Sequence, residues 1–525
     1  MSSTRRDLLK WGLFSGATLI APFTFPQSAW AFSPQIPRFQ QPFRIPPELA
    51  PVRSDQTTDY YEITLQKARV NILPGVTTEI WGYNGLYPGP TIRQRGGARN
   101  AGGRQSVVRF INQLDRDAEG QPINAVVHLH GMASLPQYDG FAEDLIPPGY
   151  FKDYIYPNDR AATLWYHDHA IDHTSRNVYR GLAGMYIVED QIEQELSLPR
   201  GPYDIPLILQ DGFFAIDGQM VFNDRGERSL YGDVALVNGV PWPRMAVANR
   251  KYRFRLLNAS ASRGYNLALS QDEQRLTLGE TLTVIGSDGG LLTAPVEVKT
   301  PYQVLRIGMA ERYEVIIDFS RYPVGTSLYL KNLGFTGSID TDSRIQSLMR
   351  FDVVREEPDD SRIPDRLRPV ALIPTTTAVR IRTFRYERNS GGWLIDNKRW
   401  NANRVDAHPE AGDVEIWELV NPGSGWFHPV HIHLIDMQML SRNGLPPRPY
   451  EQGWKDVFHV GEFEKVRIIG KFGTREGNYI KGKFMMHCHN LVHEDHAMMT
   501  LFEVGMGGAD PRSAPAQPID AMGVL

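Results

Sequence analysis

Val108-Arg109-Phe110-Ile111-Asn112 is a strand ending that this chain writes three times, again as Phe254-Arg255-Leu256-Leu257-Asn258 and as Trp417-Glu418-Leu419-Val420-Asn421. Each copy is preceded by a turn signal: Asn84-Gly85, Asn238-Gly239 and Asp396-Asn397. A similar strand closes each unit, Gly184 to Glu189, Tyr313 to Phe319, and Met499 to Val504. Self-similarity of this kind marks a repeated structural unit. Around these strands, long helical periodicities are few, and short β-branched runs are bounded by Gly, Pro and Asn. The fold class is therefore all-β, a set of β-sandwiches. The repeats place three domains at about 55–190, 204–355 and 375–505. Gln191 to Tyr203 reads as a connector, and Glu356 to Pro374, acidic and rich in proline, as a longer linker. The Gly/Pro/Ala-rich end, 506–525, is expected to be a loosely ordered tail.

A length of 525 residues suits three domains. Hydrophobic content of 42%, charged content of 22% and 10% aromatics describe a soluble globular chain. A net charge of −4 offers no electrostatic case for nucleic acid or an anionic membrane surface. Outside the first 31 residues no run is long and apolar enough to span a bilayer. Those 31 residues read as a signal peptide. Ser3-Thr4-Arg5-Arg6-Asp7-Leu8-Leu9-Lys10 is a twin-arginine pattern, an apolar stretch from Trp11 to Phe25 follows, and Ala29-Trp30-Ala31 is an A-x-A cleavage site. The expected destination is the periplasm or the exterior, reached by the twin-arginine pathway. Oxidising compartments usually favour disulfides. With one cysteine in the chain, Cys488 is read as kept for metal chemistry.

That cysteine lies in Met486-His487-Cys488-His489-Asn490-Leu491-Val492-His493-Glu494-Asp495-His496-Ala497-Met498. In an extended segment Cys488 faces one way, and His487 and His489 together face the other. Cys488, His493 and the thioether of Met498 give most of a His₂Cys site with a weak axial methionine, the ligand set of a blue-copper centre. The two outward histidines would serve a second metal site behind it. Ten of the fourteen histidines fall into four clusters. His128-Leu129-His130-Gly131 and His167-Asp168-His169 lie in the first domain, and His428-Pro429-Val430-His431-Ile432-His433 and the His487/His489/His493 group in the third. The middle domain contributes none of them. His173, His408, His459 and His496 fall outside the pattern and are read as structural. Zinc competes for a Cys/His set, but it does not cycle between oxidation states and rarely uses methionine.

HLHG, HDH, HPVHIH and HCHNLVHEDHAMM in this order resemble the signature of the three-domain multicopper oxidases, over about Tyr83 to Val504. Asp139 to Asp144, Trp165 to Asp168, Gly232-Asp233, Asn238-Gly239 with Trp242-Pro243, Lys455-Asp456 and Trp426 look most like the bilirubin oxidase and spore-coat laccase branch. The resemblance implies three cupredoxin-like Greek-key β-sandwich domains and four coppers per chain. It assigns type 1 copper to His428, Cys488 and His493 with Met498 axial, and type 2 copper to His128 and His431. The paired type 3 coppers take His130, His167, His169, His433, His487 and His489. Four of the eight ligands around types 2 and 3 come from the first domain and four from the third, which places that cluster at their interface. The middle domain is then expected to act as a spacer.

The implied reaction passes electrons singly from a small reducing substrate to type 1 copper, through Cys488 to His487 and His489, and on to dioxygen, which becomes water. Phenols or tetrapyrroles are the expected donors. Two catalytic residues are also implied, Asp139 beside the type 2 and type 3 site and Glu494 after His493. Each is a proton relay or, alternatively, a hydrogen-bond partner that orients a ligand. One alternative function is a metallo-oxidase for Mn(II), Cu(I) or Fe(II). No methionine occurs between Arg350 and Gly425, so a methionine-rich insertion of the cuprous oxidase kind is lacking. The more distant alternative, a non-enzymatic envelope factor, fits relatives that have lost their copper ligands, and this chain keeps all of them.

Overall fold

In a computed structural model the strands form six sheets, paired into three sandwiches that follow one another along the chain. The structure describes residues 33–97, 102–334, 345–389, 392–473 and 479–525. The twin-arginine segment and Ala29-Trp30-Ala31 lie outside the described residues. Among the described residues no helix is long and apolar enough to cross a membrane.

The threefold repeat has a hydrogen-bonding cause. Asn84-Gly85, Asn238-Gly239 and Asp396-Asn397 all adopt positive φ at both positions, the geometry that reverses a strand tightly. In each, the turn residue's side chain accepts from a strand amide and its own N–H returns a bond to the same strand. The pairs are Asn84 with Thr64, Asn238 with Ile208, and Asp396 with Arg385. Strands Thr58–Val70, Asp204–Gly212 and Arg380–Asn389 then run parallel to Gln105–Asn112, Lys251–Asn258 and Val414–Val420, which carry or lead into the repeated endings. The asparagines that end the motif tie off loops. Asn112 donates to the carbonyls of Ile123 and Ile146, Asn258 to those of Arg263 and Ile307, and Asn421 to that of Trp426.

One closing strand differs from expectation. Ala183–Glu189 and Met499–Val504 each have a parallel neighbour and an antiparallel one in the second sheet of their sandwich. The middle counterpart with that pairing is Ser347–Arg355. Arg312–Asp318, which resembles the closing strands in sequence, instead lies antiparallel to Lys251–Asn258 in the first sheet. Short buried strands share composition whichever sheet they join, so likeness alone did not distinguish them.

The C-terminal residues, expected to be a loose tail, are fastened to the first sandwich. Gln517–Pro518 pairs with Phe151 and Tyr150, Arg109 donates to the Gly523 carbonyl and Arg53 to that of Leu525. Proline is tolerated there because the strand lies at a sheet edge, where a missing N–H costs nothing. The segment before the first domain also has a place: Phe39 and Phe43 donate to the carbonyls of Trp242 and Arg244 of the middle sandwich.

Matching strands carry the histidine clusters. Val127–His130 lies beside Ala162–Asp168 with His128 opposite His167. His428–Ile432 lies beside Gly482–Cys488 with His431 opposite His487. The corresponding neighbours in the middle sandwich, Tyr265–Ser270 and Ser327–Asn332, contain no histidine.

Candidate metal centres

Two donor sets form on the two sides of Cys488. On one side its Sγ lies 3.4 Å from His428 Nδ1 and 3.6 Å from His493 Nδ1. Met498 is tied to this set by backbone bonds, its carbonyl accepting from the Cys488 N–H at 3.1 Å and its N–H donating to the His493 carbonyl at 3.0 Å. Both sulfur side chains belong to the apolar core of the third sandwich. Met499 turns the other way, pairing with His487 in the strand register and packing with Phe141, Met485 and Leu501. Trp393 stacks on the His493 ring at 3.5 Å, and Trp426 meets Trp393 edge-on at 5.0 Å.

On the other side, eight imidazoles converge at the seam of the first and third sandwiches. His128 Nε2 and His431 Nε2 lie 3.3 Å apart. The other six sort into two triplets with converging ring nitrogens, His130/His167/His489 and His169/His433/His487. Each triplet draws on both sandwiches. In the second, His487 Nε2 lies 3.2 Å from His169 Nε2 and 3.3 Å from His433 Nε2. In the first, His130 Nδ1, His167 Nε2 and both nitrogens of His489 are buried without a hydrogen-bond partner among the described residues. Orphaned buried nitrogens aimed at one another are costly unless something binds them. A cation coordinated there removes that cost.

The outer partners set which nitrogen faces inward. His128 Nδ1 donates to the Asp139 carbonyl, His431 Nδ1 to the Asp456 carbonyl at 2.9 Å, and His167 Nδ1 to the Asp168 carbonyl at 2.8 Å. His433 Nδ1 donates to Asp139 Oδ2 at 2.8 Å, and His487 Nδ1 donates to the Cys488 carbonyl at 3.4 Å with Glu494 Oε2 2.9 Å away. Glu494 Oε1 also lies 3.5 Å from His169 Nδ1, so one carboxylate spans two members of a triplet. His130 is the exception: its Nε2 donates to Asp456 Oδ1 at 3.0 Å, which leaves Nδ1 inward. Asp139 thus bonds one ring of the cluster, and the Glu494 carboxylate lies beside two others.

Burial governs the protonation of these groups. It drives the clustered histidines well below their usual range, His169 to about 4 and His428 and His487 to about 3. They are neutral bases at physiological pH, as ligands must be. Burial also raises the Cys488 thiol and the Asp139 carboxyl, and lifts Glu494 to about 7. A thiol so placed loses its proton to a bound cation, and soft sulfur with imidazole suits copper. The four remaining histidines have other work or none: His459 meets Arg306, His496 donates to the Val492 carbonyl, His173 precedes the helix Thr174–Arg180, and His408 is exposed.

The middle sandwich is more than the expected spacer. Its Arg228 carbonyl accepts from His493 Nε2 at 3.1 Å, and its Glu227 carbonyl accepts from Trp393 Nε1 at 2.7 Å. Its Arg312 grips Asp456, the partner of His130 and His431. Of these, sequence reading noted only Lys455-Asp456, as a branch feature with no role. No spacing rule points to Trp393 or Arg312, because their neighbours at the site are distant in the chain.

Multicopper oxidase family models match residues 64–193 and 372–507. The chain is 40% identical over 492 residues to a bilirubin oxidase of Albifimbria verrucaria, covering 90% of this chain and 82% of that protein. It is 34% identical to a laccase of Bacillus subtilis, covering 89% of this chain and 98% of the other. Among solved structures it resembles the McoA multicopper oxidase of Aquifex aeolicus, with a TM-score of 0.78, 30% identity, and coverage of 89% and 99%. By its converging histidines, its buried cysteine and these relationships, the chain belongs to the multicopper oxidases.

Proposed function

We propose that this oxidase is exported and takes electrons singly from phenolic or tetrapyrrole-type donors, in the manner of a laccase or bilirubin oxidase, delivering four to each dioxygen. His428, Cys488 and His493 would hold type 1 copper with Met498 as a further donor, and His128 and His431 would hold type 2 copper. One type 3 copper would be held by His130, His167 and His489, the other by His169, His433 and His487. Bound there, copper supplies the one-electron cycling that couples donor oxidation to reduction of dioxygen to water. The observation that carries this reading is the Cys488 backbone. It joins the two donor sets through single residues, with Sγ beside His428 and His493, and the neighbouring His487 beside His169 and His433.

The chain's own groups keep the donor sets ordered. Asp139 holds His433 by its outer nitrogen and Glu494 lies 2.9 Å from that of His487, and as buried carboxyls they are placed to pass protons toward dioxygen. A cleft of about 400 Å³ is lined by His428, Trp393, Trp426, Arg388 and Ser424. The half-buried indole of Trp426, backed by the buried Trp393, suits an aromatic donor. The bilirubin oxidase and laccase relatives support the same donor class. Export rests on Arg5-Arg6 and Ala29-Trp30-Ala31. An Arg5→Lys/Arg6→Lys precursor should stay uncleaved in the cytoplasm, and normal processing of it would remove twin-arginine export.

Donor class is tested by steady-state comparison of bilirubin, a phenol, a non-phenolic dye, Cu(I), Fe(II) and Mn(II) on copper-loaded enzyme. The reading expects the organic donors to have the higher kcat/KM. A tenfold preference for a metal ion would make the chain a metallo-oxidase.

A further inference from the structure

A charged junction where all three sandwiches meet lies directly behind the histidine cluster. Arg312, at the start of the middle strand Arg312–Asp318, is fully buried. All five of its side-chain N–H groups are used. Nε donates to the Thr163 carbonyl of the first sandwich at 3.0 Å. Nη1 donates to the Ala310 carbonyl at 3.1 Å and Nη2 to the Asp288 carbonyl at 3.2 Å. The remaining two grip Asp456 of the third sandwich in a fork, Nη1 to Oδ1 at 2.6 Å and Nη2 to Oδ2 at 2.5 Å. Lys455 lies 2.8 Å from Asp288 and 3.0 Å from Glu311, and the one other carboxylate oxygen near the guanidinium, Asp288 Oδ1, is 3.7 Å from Nη1, farther than either arm of the Asp456 fork.

Asp456 faces two cluster histidines. Its Oδ1 accepts from His130 Nε2 and its carbonyl from His431 Nδ1. The geometry points to Arg312 as a positioning residue for copper binding: through Asp456 it fixes which nitrogen His130 presents and the angle at which His431 enters. This rests on the proposed roles of His130 and His431 as copper ligands. A guanidinium fork holds a carboxylate in one plane, which a single ammonium does not. Gly131 makes the approach possible. A Cβ there would lie 2.6 Å from Arg312 Nη2 and 2.8 Å from Asp456 Oδ2, and its φ of +92° is unfavourable to other residues. The middle sandwich, which supplies no histidine to the cluster, thereby sets the aim of one ligand from the first sandwich and one from the third.

The test compares Arg312→Met and Arg312→Lys with Asp288→Asn, reading total copper, the blue absorbance per chain and the type 2 electron paramagnetic resonance signal. Arg312→Met should keep a normal blue absorbance while its affinity for the remaining coppers falls roughly 10- to 100-fold, the scale for losing an outer partner of a ligand. Arg312→Lys, which keeps the charge and loses the fork, should show a smaller loss of the same kind, and it stands alone if the methionine variant does not fold. Asp288→Asn disturbs the same charged junction without touching Asp456, and should lower thermal stability with the copper distribution unchanged. Wild-type copper distribution in both Arg312 variants would overturn the inference. So would blue and other copper falling in step, or Asp288→Asn reproducing the selective loss. If the wild-type chain itself takes up copper only at the blue site, the ligand reading fails instead.

Discussion

Cys488 donates its N–H to the Met498 carbonyl and Met498 donates to that of His493, so the two sulfur residues and the second imidazole are tied into one loop. Replacing Cys488 by serine should abolish the blue absorbance and nearly all turnover while the histidine cluster still binds copper; a variant that stays blue would remove Cys488 from the site. Met498→Leu should keep the blue colour and raise the potential, because a weak donor to copper is lost. Met499→Leu should leave it unchanged, since Met499 packs with Phe141 and Leu501 away from Cys488. The reverse pattern in redox titration would exchange their roles. Asp139→Asn tests the proton relay. An asparagine oxygen still accepts from His433 Nδ1, so the ring stays aimed, but an amide has no acidic proton to give. Anaerobic bleaching of the blue band should keep its rate while turnover falls by about 10²-fold. Loss of type 2 copper in this variant would instead make Asp139 solely an orienting group.

Strands place these residues, and turns place the strands. Asn112 is fully buried and serves two carbonyls and the Leu114 N–H. Asn112→Ala leaves the Ile123 carbonyl and the Leu114 N–H unpaired, Ile146 keeping the Ala125 N–H, and should cost about 2 kcal/mol, at the low end of the penalty per group. The measurement is the thermal midpoint, with the blue absorbance of the folded protein unaffected. Asn421 makes fewer bonds but holds the Trp426 carbonyl and lines the donor cleft. Asn421→Ala should therefore cost less stability and raise the KM for organic donors; a normal KM would detach Trp426 from donor binding. The repeated endings were legible because period-2 patterning and turn chemistry are local. The closing strand of the middle sandwich was not, because strand composition does not record which neighbour a strand pairs with.

Contacts across the whole chain decide the rest. The C-terminal segment runs from the third sandwich to an edge of the first, tied by Arg109 and Arg53. Removing 506–525 should lower the thermal midpoint by a few degrees and leave the blue band intact. An unchanged midpoint would mean the contacts contribute nothing. Its Gly/Pro/Ala composition reports backbone freedom, and says nothing of an open sheet edge waiting elsewhere.

What the sequence by itself determined was chemistry and class. Residue type sets which atoms bind a soft redox metal, and two-residue periodicity sets that His487 and His489 share a face opposite Cys488. Those properties live within a few residues, so one chain suffices to read them. Only the tertiary structure decided how six histidines divide into two triplets, which carboxylate aims which ring, and that the middle sandwich takes part. Each of those depends on partners brought together by packing, as His130 and Asp456 are, 326 residues apart. No local pattern encodes such a distance; it follows from three sandwiches burying their facing surfaces against one another.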